Sequence, residues 1–122
     1  MNEIKFEDLD NYVRSYDEDK LLIIVLWTRY CFKCAPFLER VNRAREDFDH
    51  LHFVSSEIDD IPLFAPPGTP AMVVYYKGLK VLEHLGDLNE MELENVLRNW
   101  YGVLINQLRK HYGNHNYVNH NT

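Results

Sequence analysis

Two cysteines stand at positions that support chemistry, in the run Cys31-Phe32-Lys33-Cys34. They are the only cysteines in the chain. The run directly follows a short, continuously apolar segment, Leu21-Leu22-Ile23-Ile24-Val25-Leu26-Trp27, and opens a segment of helical periodicity. A thiol at a helix start faces unpaired backbone N–H groups and the positive end of the dipole, and both favour the thiolate. The thiolate is the species that attacks a disulfide. A second cysteine one helical turn further on can attack the resulting mixed disulfide and release the partner. Cys31 is therefore assigned as the nucleophile and Cys34 as the resolving thiol. Other readings of the pair compete. A structural disulfide is disfavoured in a reducing cytosol. A zinc half-site needs two more ligands, and His111-x-x-x-His115 lies far along the chain. No metal ligand is assigned. Cysteines that merely pack are unusual at a strand-to-helix turn.

The surrounding elements must present this turn. Phe6, Leu9, Val13 and Tyr16 recur at helical spacing, which predicts a helix over about 6–17. Leu21 to Trp27 suits a strand buried on both faces, as in a mainly parallel sheet. Phe37, Leu38, Val41, Ala44 and Phe48 mark a helix. Pro36 is expected to distort its first turn. Leu51 to Ile58 reads as a second buried strand, followed by a loop carrying Pro62, Pro66, Pro67 and Pro70. Ala71 to Tyr76 and Lys80 to His84 pair as a hairpin across Lys77-Gly78. Asn89 with Glu92 forms a capping-box signature, and Leu88 with Leu93 a hydrophobic staple. The apolar stripe of that last helix runs Leu93, Val96, Leu97, Trp100, Leu104 and Leu108, interrupted by Gly102. A further strand near Asn2 to Lys5 is too short to assign. The order of elements implies an α/β fold, a mixed sheet with helices on both faces.

Composition sets outer bounds. The 122 residues are 46% hydrophobic and 26% charged, ordinary for one globular domain that needs no disulfide staples. A net charge of −6 argues against a general nucleic-acid binder. The apolar run at 21–27 is far too short to span a bilayer. The first residues show no signal-peptide core, which suggests a cytoplasmic protein. Gly113 to Thr122, mostly Asn, His and Tyr, read as a frayed tail. His50, His52, His84 and His120 show no ligand spacing.

The segment from Leu22 to Cys34 resembles the active-site strand and turn of the thioredoxin family. Gly68-Thr69-Pro70-Ala71 resembles that family's cis-proline loop, Lys77-Gly78 its hairpin turn, and Gly86 the glycine after its last strand. The likeness covers about Leu21 to Tyr101. It implies a thioredoxin-like three-layer sandwich, with a mixed central sheet of four to five strands flanked by helices. Residues 1–102 would form that domain, and 103–122 a C-terminal helix extension and flexible tail. The resemblance further implies an exposed attacking Cys31, a buried Cys34 and a cis Pro70 facing the pair. Thr69 would offer its backbone to an extended substrate segment. Tyr30, Phe32 and Gly86 would form an apolar rim. Lys33 adds positive charge beside Cys31, which favours the thiolate. The plainer reading is that Lys33 points to water and Phe32 is a surface aromatic.

The sequence also departs from the family. Phe32-Lys33 replaces the usual Gly-Pro. The family's buried acid aligns with Val25 and its accompanying lysine near Ser55, leaving Glu57 and Asp59 as candidate replacements. Its helix-kinking proline aligns with Glu39. The segment from Asp59 to Pro70 is short, so the helix before the cis-proline loop is expected to shrink to a turn. Val103, Leu104, Ile105 and Leu108 are too apolar for a solvated helix, so they either pack on this domain or form a homodimer contact. Arg29, Lys33, Arg40 and Arg43 suggest a positive rim suited to acidic partners, the plainer reading for Arg40 and Arg43 being a solvated helix face. The implied activity is a thiol–disulfide oxidoreductase cycling through Cys31 and Cys34 in electron transport. It would act on protein disulfides without a metal or organic cofactor. A thioredoxin-reductase-like flavoprotein or glutathione would regenerate it. The alternative is a thioredoxin-fold binding or assembly module with little redox role.

Overall fold

The computed structural model describes residues 1–58 and 69–121, with side chains through His111. The elements are β1 (Asn2–Glu3), a 3₁₀ turn (Phe6–Asp8), α1 (Leu9–Ser15), β2 (Leu21–Trp27), α2 (Cys34–Ala44), β3 (Leu51–Glu57), β4 (Ala71–Tyr76), β5 (Leu79–Leu85), α3 (Glu90–Asn95) and α4 (Tyr101–Asn121). The five strands form one sheet in the order β1-β3-β2-β4-β5. β2 and β1 each run parallel to β3, and β4 runs antiparallel to β2 and β5.

The unbroken apolar character of β2 follows from its central place. Alternate side chains point to opposite faces, and both faces are covered. Leu21, Ile23 and Val25 join Phe37 and Val41 of α2 with Leu97, Tyr101 and Ile105 of the C-terminal helices. Leu22, Ile24 and Leu26 join Val13 of α1, with Leu9 and Tyr12 alongside. The result is three layers, helix, sheet, helix, as the order of elements implies.

Several elements differ from the periodicity. α1 ends at Ser15, and Tyr16 is already extended. The acids Asp17, Glu18 and Asp19 oppose the negative end of the helix dipole there. Pro36 does not distort α2. It occupies the third helical position, whose N–H has no partner within a helix, so the ring removes no hydrogen bond. The first helical bond runs from the Phe37 N–H to the Lys33 carbonyl. β1 exists, with Glu3 in register with Ser55.

The last helix shows both halves of its start signal. The Asn89 side chain accepts from the Glu92 N–H, the Glu92 carboxylate accepts from the Asn89 N–H, and Leu88 and Leu93 share the core. Beyond it the buried residues are Leu93, Leu97, Tyr101 and Ile105, four apart each time. A wide π turn at Val96–Trp100 explains the spacing. One extra residue in that turn brings position 101 back onto the face that a regular helix would leave. Trp100, expected in the stripe, is therefore 66% exposed. Leu104 and Leu108 pack against the core, whereas Val103 faces out. Arg109 ties α4 down, pairing with the Asp19 carboxylate at 3.0 Å and donating to the Asp19 carbonyl at 2.9 Å. The helical backbone of α4 runs to Asn121.

Candidate active site

Three chain segments converge at the end of β2. The first is the turn from Thr28 into α2. The Cys31 N–H donates to the Thr28 carbonyl at 3.2 Å, and the Cys34 N–H to the Cys31 carbonyl at 3.1 Å. These bonds fold the turn so that the two cysteine Cα atoms lie 5.3 Å apart, and a disulfide joins their sulfurs. Cys31 is partly exposed, whereas Cys34 is 1% exposed at the start of α2. The asymmetry follows from position. Cys31 sits in the turn, while Cys34 begins the helix that presses Phe37 and Val41 onto the sheet.

The second segment is the entry to β4. The Thr69–Pro70 peptide is cis, and the Thr69 carbonyl oxygen lies 3.5 Å from Cys31 Sγ. The third is the end of β5. The Gly86 N–H donates to the Pro70 carbonyl at 2.8 Å. Gly86 holds φ at +98°, a conformation that side-chain-bearing residues rarely adopt. Arg40 of α2 fixes the chain just after it, donating to the Leu88 carbonyl at 2.6 Å and the Asp87 carboxylate at 3.1 Å. Cys31, Cys34, Thr69, Pro70 and Gly86, far apart in sequence, are thereby brought together.

Tyr30 and Phe32 flank Cys31 in sequence and are 74% and 86% exposed. The Lys33 ammonium stands 5.9 Å from the Phe32 ring centroid, a cation–π arrangement. The broader positive rim is not formed. Arg29 pairs with Glu57 at 2.8 Å, Arg40 with Asp87, and Arg43 with Glu90 at 3.0 Å. These carboxylates, at the end of β3, after β5 and at the start of α3, are distant in sequence and offset the cations.

Val25 is fully buried, so the position aligned with the family's acid is apolar. Ser55 lies opposite it on β3. Glu57 is occupied by Arg29, and Asp59 and Gly68 lie outside the described residues, as does the rest of the proline-rich loop. Sequence reasoning missed Glu3. Its carboxylate accepts from Ser55 Oγ at 2.6 Å, from the Glu57 N–H at 2.9 Å and from Trp27 Nε1 at 3.3 Å. It joins the ends of three strands at the turn that leads to Cys31. The signal was a lone acid in a segment too short to assign, and only strand register reveals it. Among the described residues no group of His, Cys, Asp and Glu is placed to hold a metal ion. Among them no helix is long and apolar enough to cross a membrane.

No family model matches the chain, and no curated protein matches it in sequence. Solved structures do match. Thioredoxin f2 of Chlamydomonas reinhardtii superposes with a TM-score of 0.66 at 14% identity, over 79% of this chain and 93% of that one. Thioredoxin of Fasciola hepatica gives 0.64 at 16% identity, over 80% and 96%. The chain has the thioredoxin-like fold, with a disulfide-bonded Cys-x-x-Cys pair at the end of its central strand.

Proposed function

We propose that the protein is a thiol–disulfide oxidoreductase that reduces or exchanges protein disulfides. The observation that carries this reading is the asymmetric pair. Cys31 is reachable from solvent, and Cys34 is buried behind it and already bonded to it. In the reduced protein the Cys31 thiolate attacks one sulfur of a target disulfide. A bond forms between Cys31 and that sulfur, and the other target sulfur leaves as a thiolate that takes a proton from water. Cys34 then loses its proton and attacks Cys31 Sγ. The mixed disulfide breaks, and the target departs with both sulfurs reduced. The target gains two electrons, and the Cys31–Cys34 bond holds the corresponding oxidation. The Thr69 carbonyl borders the reacting sulfur, Pro70 and Gly86 are hydrogen-bonded to each other beside it, and Tyr30, Phe32 and Lys33 would form the outer rim for a target.

The dithiol itself carries the electrons, and a thioredoxin-reductase-like flavoprotein or glutathione returns them, in the cytoplasm. The apolar Val25 supports a second reading, a thioredoxin-fold binding or assembly module with little redox role. A residue that accepts the Cys34 proton is not evident at that position. Titrating the Cys31–Cys34 pair in glutathione and dithiothreitol buffers separates the two. A measurable potential, near about −270 mV for a reductant or about −180 to −120 mV for an oxidant, supports the oxidoreductase. Failure to form the disulfide at any poise supports the module. So does full function in the Cys31→Ser, Cys34→Ser double variant.

A further inference from the structure

We propose that the rim around Cys31 selects targets whose disulfide lies in an acidic protein segment, and that Lys33 makes the selection. The inference rests on the oxidoreductase reading and names the substrate class of the same site. Four cations stand near the motif in sequence, and three are offset by partners: Arg29 by Glu57 at 2.8 Å, Arg40 by Asp87 at 3.1 Å, and Arg43 by Glu90 at 3.0 Å. Lys33 has no ion-pair partner among the described residues. It is exposed, two residues from the nucleophile, and its ammonium stands 5.9 Å from the Phe32 ring centroid. Among the described residues the uncompensated charge beside the reacting sulfur is therefore positive, although the chain carries −6.

The two fields act over different distances. At physiological ionic strength charges are screened beyond about 8 Å. Acids spread over the rest of the surface weaken the approach of an acidic partner only slightly. A carboxylate beside the target disulfide meets Lys33 within that distance. The exposed Tyr30 and Phe32 rings add apolar contact that does not depend on the sign of the target's charge. Lys33 thus supplies discrimination, and the rings supply contact area.

The test compares three peptides that share one disulfide and differ only in its flanking residues, Asp and Glu, Ser and Asn, or Lys. Each rate of reduction by the pre-reduced protein is divided by that peptide's rate with dithiothreitol, which removes intrinsic disulfide reactivity. The expected order is acidic, neutral, basic, with about threefold between acidic and neutral, the scale of a solvent-exposed ion pair. The spread should narrow in 0.5 M salt on the order of magnitude expected from screening. In Lys33→Gln the acidic-to-neutral ratio should fall to about one, and in Lys33→Glu it should invert. Phe32→Ala should slow all three peptides by a common factor. Equal rates on the three peptides overturn the proposal, as does a ratio unchanged in Lys33→Gln. Glutathione disulfide, which carries carboxylates without a protein segment, overturns it if reduced as fast as the acidic peptide. Reduction of the neutral peptide in these outcomes leaves the oxidoreductase reading standing. Reduction of none of the peptides defeats both.

Discussion

Arg40 carries the clearest structural burden around the site. Its guanidinium reaches from α2 to the Leu88 carbonyl at 2.6 Å and the Asp87 carboxylate at 3.1 Å, and its side chain is 21% exposed. Those contacts hold the chain that follows Gly86, whose N–H supports the Pro70 carbonyl. Arg40→Ala removes a charged donor from a partly buried carbonyl, a loss of about 1.5–3 kcal/mol when the acceptor is left without a partner. The partly exposed ion pair with Asp87 adds at most about 1 kcal/mol. Allowing for water reaching the Leu88 carbonyl, the net loss is about 2 kcal/mol, a roughly thirtyfold shift toward the unfolded state. For a domain of this size the melting temperature should fall by about 8 °C. Arg40→Lys keeps the charge but not the two-pronged donor, and should recover less than half of the loss. The assay is denaturant unfolding of the oxidised protein, with the midpoint moving and the slope unchanged. A loss below about 0.5 kcal/mol in Arg40→Ala, the range of ordinary surface substitutions, refutes the reasoning. So does a lysine variant as stable as the parent.

Three further outcomes are expected. Asn89→Ala should cost about 1 kcal/mol by opening the capping box, read from the same unfolding curves, and a neutral result would show that α3 is held by packing alone. Glu3→Ala should cost about 1–2 kcal/mol and red-shift the emission of Trp27 in a Trp100→Phe background, because Trp27 Nε1, Ser55 Oγ and the Glu57 N–H lose their shared acceptor. An unmoved spectrum would separate Glu3 from Trp27. Burial holds the His52 imidazole below its ordinary range, with Glu18 opposing and Lys20 reinforcing the shift. The unfolded chain therefore binds the proton more readily, so this contribution to stability is full above about pH 6.5 and is lost as pH falls below it. His52→Phe should flatten that part of the pH–stability curve, and an unchanged curve would contradict the assignment.

The legibility of the sequence tracked the range of the interactions involved. The central strand was readable because burial on both faces demands an unbroken apolar run. The capping box was readable because all its partners lie within four residues. The cysteine turn was readable because its chemistry is local. Within the stripe of the C-terminal helix only Trp100 was misplaced, because the π turn at Val96–Trp100 puts Tyr101 on the core face in its stead, and no residue type announces such a turn. The fate of Arg29, Arg40 and Arg43 was hidden for the opposite reason. Their partners lie 28 to 48 residues away, reached only through the folded topology. Glu3 combines both difficulties, a two-residue strand and contacts made through register.

The central claim is that Cys31 attacks and Cys34 resolves. Reduced Cys34→Ser protein should be mixed with a peptide disulfide and examined by intact mass, alongside Cys31→Ser. The account predicts a stable covalent adduct on Cys34→Ser, with half of the target attached through Cys31, and no adduct on Cys31→Ser, where the remaining thiol is buried. An adduct forming equally on both variants, or on neither, would contradict it.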